Sequence, residues 1–207
     1  MKKLYIVTCL FFAFQTYSQY RVEENFLKLK EILSTENSYK KIEANLRAFK
    51  FTFKDQLNTL ITLQFDRDID FNYVHKRIGA GLDGNGYQID LIVKNDSICL
   101  KSIQIVDFKS SSYKALIENQ LEKYIIQRNE FYKSNKDAND LYNEIITNED
   151  FAMSCGEGSS MTEEGKKINK IVHKDDIQSL KAMLGSFSCE KQAFAVLGFS
   201  MLEKKNI

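Results

Sequence analysis

The chain has 207 residues, of which 43% are hydrophobic, 12% aromatic and 28% charged, and its formal net charge is +1. This near-neutral balance, with Lys and Glu interspersed, argues against a nucleic-acid or anionic-membrane binder, which needs a basic excess. The aromatic content and the absence of Pro argue against a disordered linker.

Residues 1–18 read as a cleavable secretory signal peptide. Lys2 and Lys3 form a short positive start. Leu4 to Phe14 is an apolar run broken only by Thr8, and Gln15 to Ser18 is a polar end with small Ser18 before the cut. The run is about half the roughly 20 residues that a membrane-spanning helix needs. Cys9 lies inside it rather than at a cleavage point, which argues against a lipoprotein. The mature chain then starts near Gln19, with a location in the periplasm or outside the cell. It keeps about 190 residues, enough for one good core or two small ones. No later apolar stretch is long enough to span a membrane, so no integral segment is expected in it.

Residues 22–35 read as a helix, with Val22, Phe26, Leu29 and Leu33 at helical spacing and Glu23 and Glu24 in the first turn. Ser34, Asn37 and Ser38 make a break, and Ser38 can cap a second helix to about Arg47, with Ile42 and Leu46 inward. The period then changes to two. Phe49, Phe51 and Phe53 alternate with polar residues, as do Thr59, Ile61, Leu63 and Phe65 after a connection at Lys54-Asp55-Gln56. Tyr87, Ile89, Leu91 and Val93 alternate again, and Ile98 to Val106 follows across an Asn95-Asp96 turn that tolerates left-handed dihedrals. These four runs predict an antiparallel four-stranded sheet, with Asp66 to Gly86 as a polar, glycine-containing loop between two hairpins.

Residues 112–133 carry the longest helical pattern, with Tyr113, Leu116, Leu121, Tyr124 and Arg128 on one face, and the helix is expected to cover the sheet. A shorter helix spans about 137–147. After a loop at 154–162, Thr162 starts one helix with Ile168, Ile171 and Val172 inward. Asp175 or Asp176 caps the next, with Ile177, Leu180, Met183 and Leu184 inward and Gly185 at its C-terminus. Ser188 caps the last, with Ala193, Val196, Leu197 and Met201 inward. The fold class is therefore α+β. Residues 19–150 are expected to form an α+β domain, and 151–207 a helical segment packed on it.

In that segment, an Asp-capped helix ends in "LKAMLGS", and a short turn leads to "KQAFAVLGFSML", rich in Ala and Gly. Residues 175–204 thereby resemble a single HEAT-type helical hairpin, which implies one helical pair docked on the sheet domain.

Cys99, Cys155 and Cys189 remain after cleavage. Cys99 sits in a strand pattern, where a thiol behaves as a small hydrophobe. Cys155 and Cys189 flank a helical segment in an exported chain, and they are expected to form a disulfide. The spacing fits no zinc site, since there is no CxxC and only two histidines, His75 and His173, occur. Gly79, Gly81 and Gly84 match G-x-G-x-x-G. That fingerprint needs a helix after it, and here a strand pattern follows, so a loop is the better account. Asp83 to Tyr87, and the run Asp66, Asp68, Asp70, each look like part of an EF-hand loop but lack its required positions. A weak Ca²⁺ site from both runs stays open beside a solvated turn.

No catalytic residue, metal ligand or cofactor is assigned from these patterns. The expected function is an exported, non-enzymatic binding or interaction protein whose partner can be another protein. The alternative is a small exported hydrolase using carboxylates or His75 in the 66–86 loop, and convergence of His75 with Asp66, Asp68 or Asp83 would favour it.

Overall fold

The computed structural model describes residues 23–49, 59–82, 85–106, 112–146, 152–153 and 161–205. The expected leader, the Phe51-Phe53 part of the first strand pattern, Asp83, Gly84 and Cys155 lie outside the described residues. The chain divides into two compact units, the first ending at Glu118 and the second starting at Asn119.

The first unit opens with helix α1 (residues 23–35) and helix α2 (Tyr39–Ala48). Ser38 caps α2 as expected, its side chain accepting from the Lys41 N–H. Five strands follow: β1 (Thr59–Asp70), β2 (Tyr73–Leu82), β3 (Asn85–Lys94), β4 (Ser97–Ile105) and β5 (Ser112–Leu116). Each pairs antiparallel with the next, so the sheet order is the chain order.

The α+β class therefore holds, with five strands instead of four. Two expectations are corrected. The loop expected over 66–86 is the end of β1, all of β2 and the start of β3. Residues 112–116, expected to open a helix, are strand β5 on the free edge of β4.

The hairpin turns show how this comes about. Asn95 and Asp96 take φ of 49° and 71°, the paired left-handed residues of a tight hairpin turn, as the sequence predicts. Phe71 and Asn72 do the same at 53° and 64° between β1 and β2. Phe resists that region, so propensity hides this turn. Gly81 and Gly86 face each other across β2 and β3 at φ of 131° and 126°, values that only glycine adopts readily. The glycines of the G-x-G pattern thus serve strand geometry.

One face of the sheet carries Ile78, Ile89, Leu91 and Ile103, packed with Leu29, Leu33, Ile42 and Leu46 of the two helices. Lys101 of β4 points to the same side and is 2% exposed. Its ammonium donates to the Leu33 and Glu36 carbonyls, both at 2.6 Å, and to Asn37 Oδ1 at 2.8 Å. It thereby caps the C-terminal end of α1, whose last carbonyls have no helical partner. Asp96 ties the next helix down, accepting from Ser38 Oγ at 2.7 Å and the Lys40 N–H at 2.8 Å.

The second unit is helical: α3 (Glu118–Tyr132), α4 (Ala138–Ile146), α5 (Glu163–His173), α6 (Ile177–Leu184) and α7 (Cys189–Lys205). Thr162 and Asp176 cap α5 and α6 through the N–H groups of Gly165 and Ser179. Ser188 caps α7, accepting from the Lys191 N–H. Ile168, Val172, Leu180, Phe194 and Leu202 form one core, with α7 packed on both α5 and α6.

The buried residues of α7 are Phe194, Ala195, Gly198 and Leu202; Leu197 and Met201 of the expected face pack partly buried on the same core, whereas Val196 is 62% exposed. Ile177 is also largely exposed. Gly185 is the C-cap of α6, as expected, at φ −79°. No helix among the described residues is long and apolar enough to cross a membrane.

Cys155, one half of the expected disulfide with Cys189, lies outside the described residues; Cys189 stands at the first position of α7, Cys99 is buried in β4, and no disulfide joins two described residues. Polar contacts hold the 185–188 turn. The buried Arg128 guanidinium donates to the Gly185 and Ser186 carbonyls. Glu144 accepts from Ser186 Oγ and the Phe187 N–H, and Gln192 Nε2 donates to Ser186 O at 2.7 Å.

Candidate functional site

The opposite face of the sheet carries charge, although it too is buried. Alternation along a strand sends every second residue to the same side. On β2 that side holds His75, Arg77 and Gly79, and on β3 it holds Gln88, Asp90 and Ile92. The register sets Arg77 opposite Asp90 and Asp90 opposite Ser102 of β4, with Lys114 of β5 beyond.

Asp90 is the centre. It is fully buried, and His75, Arg77 and Gln88 are 1%, 5% and 3% exposed. Asp90 Oδ1 receives His75 Nε2 at 2.8 Å and Arg77 Nε at 2.7 Å, and Oδ2 receives Gln88 Nε2 at 2.8 Å. The Phe65 ring meets the His75 ring edge-on at 4.9 Å between centroids, and the Arg67 and Arg77 guanidinium groups lie 4.1 and 5.0 Å from the Phe65 centroid.

Electrostatics fix the protonation states. Burial raises the Asp90 carboxyl, but the His75 hydrogen bond and the Arg77 charge outweigh it and hold the group below the usual carboxylate value. For His75 burial dominates and lowers the pKa below 6.5, against the opposing pull of Asp90, while Arg77 and Arg67 lower it further. The ring is therefore neutral near pH 7. An ionised carboxylate only accepts, so His75 carries its proton on Nε2. The pair Asp90⁻–Arg77⁺ is balanced, and a buried charge needs that balance.

This cluster has the orienting half of a nucleophilic site, a His held by a carboxylate. Among the described residues no hydroxyl or thiol donates to His75. Ser102 Oγ, buried beside Asp90, has no hydrogen-bond partner among the described residues. The Cys99 thiol is pushed up to about 11 by burial, which keeps it protonated and unreactive.

The sequence places His75 in a loop, whereas it lies on strand β2. Asp66 and Asp68 project from β1 to solvent, and Asp66 pairs with Lys76 on the other side of β2 from His75. Neither joins His75, and Asp83 lies outside the described residues. His173 is exposed in the last turn of α5. No group of three or more His, Cys, Asp or Glu side chains is arranged to hold a metal ion among the described residues. Sequence reading missed Asp90, Arg77 and Gln88 because a polar residue alternating with apolar ones looks like a solvent face. The residues that keep the period, Tyr87, Ile89 and Leu91, are equally compatible with both. Comparison with protein families, curated proteins and solved structures finds no match for this chain.

Proposed function

We propose that the chain is an exported, non-enzymatic interaction protein that works in the periplasm or outside the cell. The observation that carries this reading is the closure of the Asp90 cluster. A general base must reach the proton it abstracts. His75 is 1% exposed, and its Nε2 is committed to a carboxylate that also serves Arg77 and Gln88. Such a cluster orders the pairing of β2 with β3 and leaves the outer surfaces for recognition. The leader pattern of Lys2, Lys3 and the apolar run supports export.

A hydrolase is the second reading, and the His75–Asp90 hydrogen bond is the observation in its favour. The test runs on protein recovered from its host. N-terminal sequencing should begin at Gln19 or Tyr20, and an intact Met1 in cytoplasmic protein would refute export. The same protein should turn over ester, phosphoester and glycoside substrates no faster than His75→Gln. Turnover that disappears in a folded His75→Gln variant would establish the hydrolase instead.

A further inference from the structure

We infer that a basic cleft in the helical unit binds a small oxyanion, a carboxylate or phosphate carried on a sugar-sized polyol. The inference deepens the reading of the chain as a binding protein and rests on it. The cleft lies between the connection from α3 to α4 and helix α6, with a volume of about 460 Å³. That is within the usual range for small-molecule sites, roughly 300–1,000 Å³. Lys133, Lys136 and Lys181 line it, Asn135 and Gln178 add amide groups, and no carboxylate lines it.

The charges are not all spoken for. Lys136 pairs with Glu144. Lys133 and Lys181 have no carboxylate partner among the described residues. A lysine at a helix C-terminus often serves the last carbonyls, yet here several are already occupied. The Asn129 carbonyl accepts from the Ser134 N–H, Lys181 from Gly185 and Met183 from Ser186. Arg128 fills the Gly185 and Ser186 carbonyls. Lys133 and Lys181 thus line the cleft with no carboxylate bound to either among the described residues.

The rim is also preformed. Asn129 Nδ2 donates to Lys136 O at 2.8 Å, and Asn129 Oδ1 accepts from Ser134 Oγ at 2.7 Å and the Lys136 N–H at 3.0 Å. Lys133 itself is held at φ 52°, a conformation that glycine or asparagine more often occupies after a helix. A loop fixed before binding loses less entropy on binding. Two cations answer an oxyanion, and the neighbouring amides answer hydroxyls.

The test is an NMR titration of the full mature chain with glucuronate, glucose 6-phosphate and glucose at matched ionic strength. Saturable shifts confined to residues 132–136 and 178–185 are expected with either anion and absent with glucose. The stronger anion identifies the recognised group. Lys133→Ala with Lys181→Ala should weaken binding at least about tenfold, whereas the exposed Lys204→Ala should not. Absence of saturable shifts, equal shifts with glucose, or an unaffected double variant would overturn the cleft. Release of phosphate from glucose 6-phosphate would instead overturn the non-enzymatic reading while leaving the cleft occupied, so the two failures are distinct.

Discussion

Gly198 of α7 lies so close to Leu180 of α6 that a Cβ built on the glycine would sit 2.6 Å from Leu180 Cδ2. Leu180 is fully buried between α5 and α7, so its methyl groups have little room to withdraw. The close approach of these helices therefore depends on the missing side chain. Gly198→Ala should destabilise the protein by about 1–3 kcal/mol, because overpacking outweighs the gain in helix propensity. Adding Leu180→Ala should restore part of the fit in a double-mutant cycle, read by urea denaturation. Additive losses would mean that the two residues do not compete for space.

The turn at 185–188 is held by hydrogen bonds from three helices. Arg128 is 1% exposed, its guanidinium lies 4.4 Å from the Phe187 ring centroid, and it donates to two carbonyls. Arg128→Met should cost about 2–4 kcal/mol, since it takes the guanidinium donor from the Gly185 carbonyl and leaves Gln192 as the side-chain donor to Ser186 O. Cys189→Ser should change stability by less than about 0.5 kcal/mol, and a thiol reductant should leave the melting temperature unchanged. A reductant-sensitive melt would contradict the clamp.

Helices were more legible than strands for a physical reason. Ser38, Thr162, Asp176 and Ser188 announce helix starts through their own side-chain oxygens, and each is a cap in the structure. The strand β2 carries His75 and Arg77 on a buried face, so the pattern that usually marks a strand is broken by charge. The same charge is what makes the candidate site, and its partner Asp90 comes from a neighbouring strand. Neither a cross-strand pair nor the burial of both sheet faces is written in local periodicity. On α7, Ala and Gly between larger residues flatten the amphipathic signal, so that Leu197 and Met201 are legible as core contacts whereas Phe194 and Leu202 are not.

Lys101 tests the capping of α1 by the sheet. Lys101→Met keeps most of the aliphatic stem but removes the donor to the Leu33 and Glu36 carbonyls and Asn37 Oδ1. A loss of about 2–4 kcal/mol is expected. Hydrogen exchange should also rise first at the end of α1 and the start of α2. Unchanged exchange there would refute the role.

Asp90 should make the protein sensitive to acid. Its folded pKa lies below 3.8, so its contribution to stability is present above that value and is lost as pH falls through the folded pKa. His75 adds an earlier decline. Its folded pKa is below 6.5, so as pH drops under 6.5 the unfolded chain takes up a proton that the native ring refuses. Asp90→Asn leaves Arg77 without this counter-charge and should cost about 3–5 kcal/mol at pH 7. His75→Gln should flatten the stability profile just below pH 6.5. A decline of the same slope in that variant would assign the effect elsewhere.

The most direct measurement of the closed cluster is the NMR titration of the His75 ring nitrogens in the native protein. The ring should stay neutral, with its proton on Nε2, as pH falls through 6.5, and should protonate only below that value. A His75 that titrates at or above 6.5, or carries its proton on Nδ1, would contradict the account of a neutral, desolvated ring donating to Asp90.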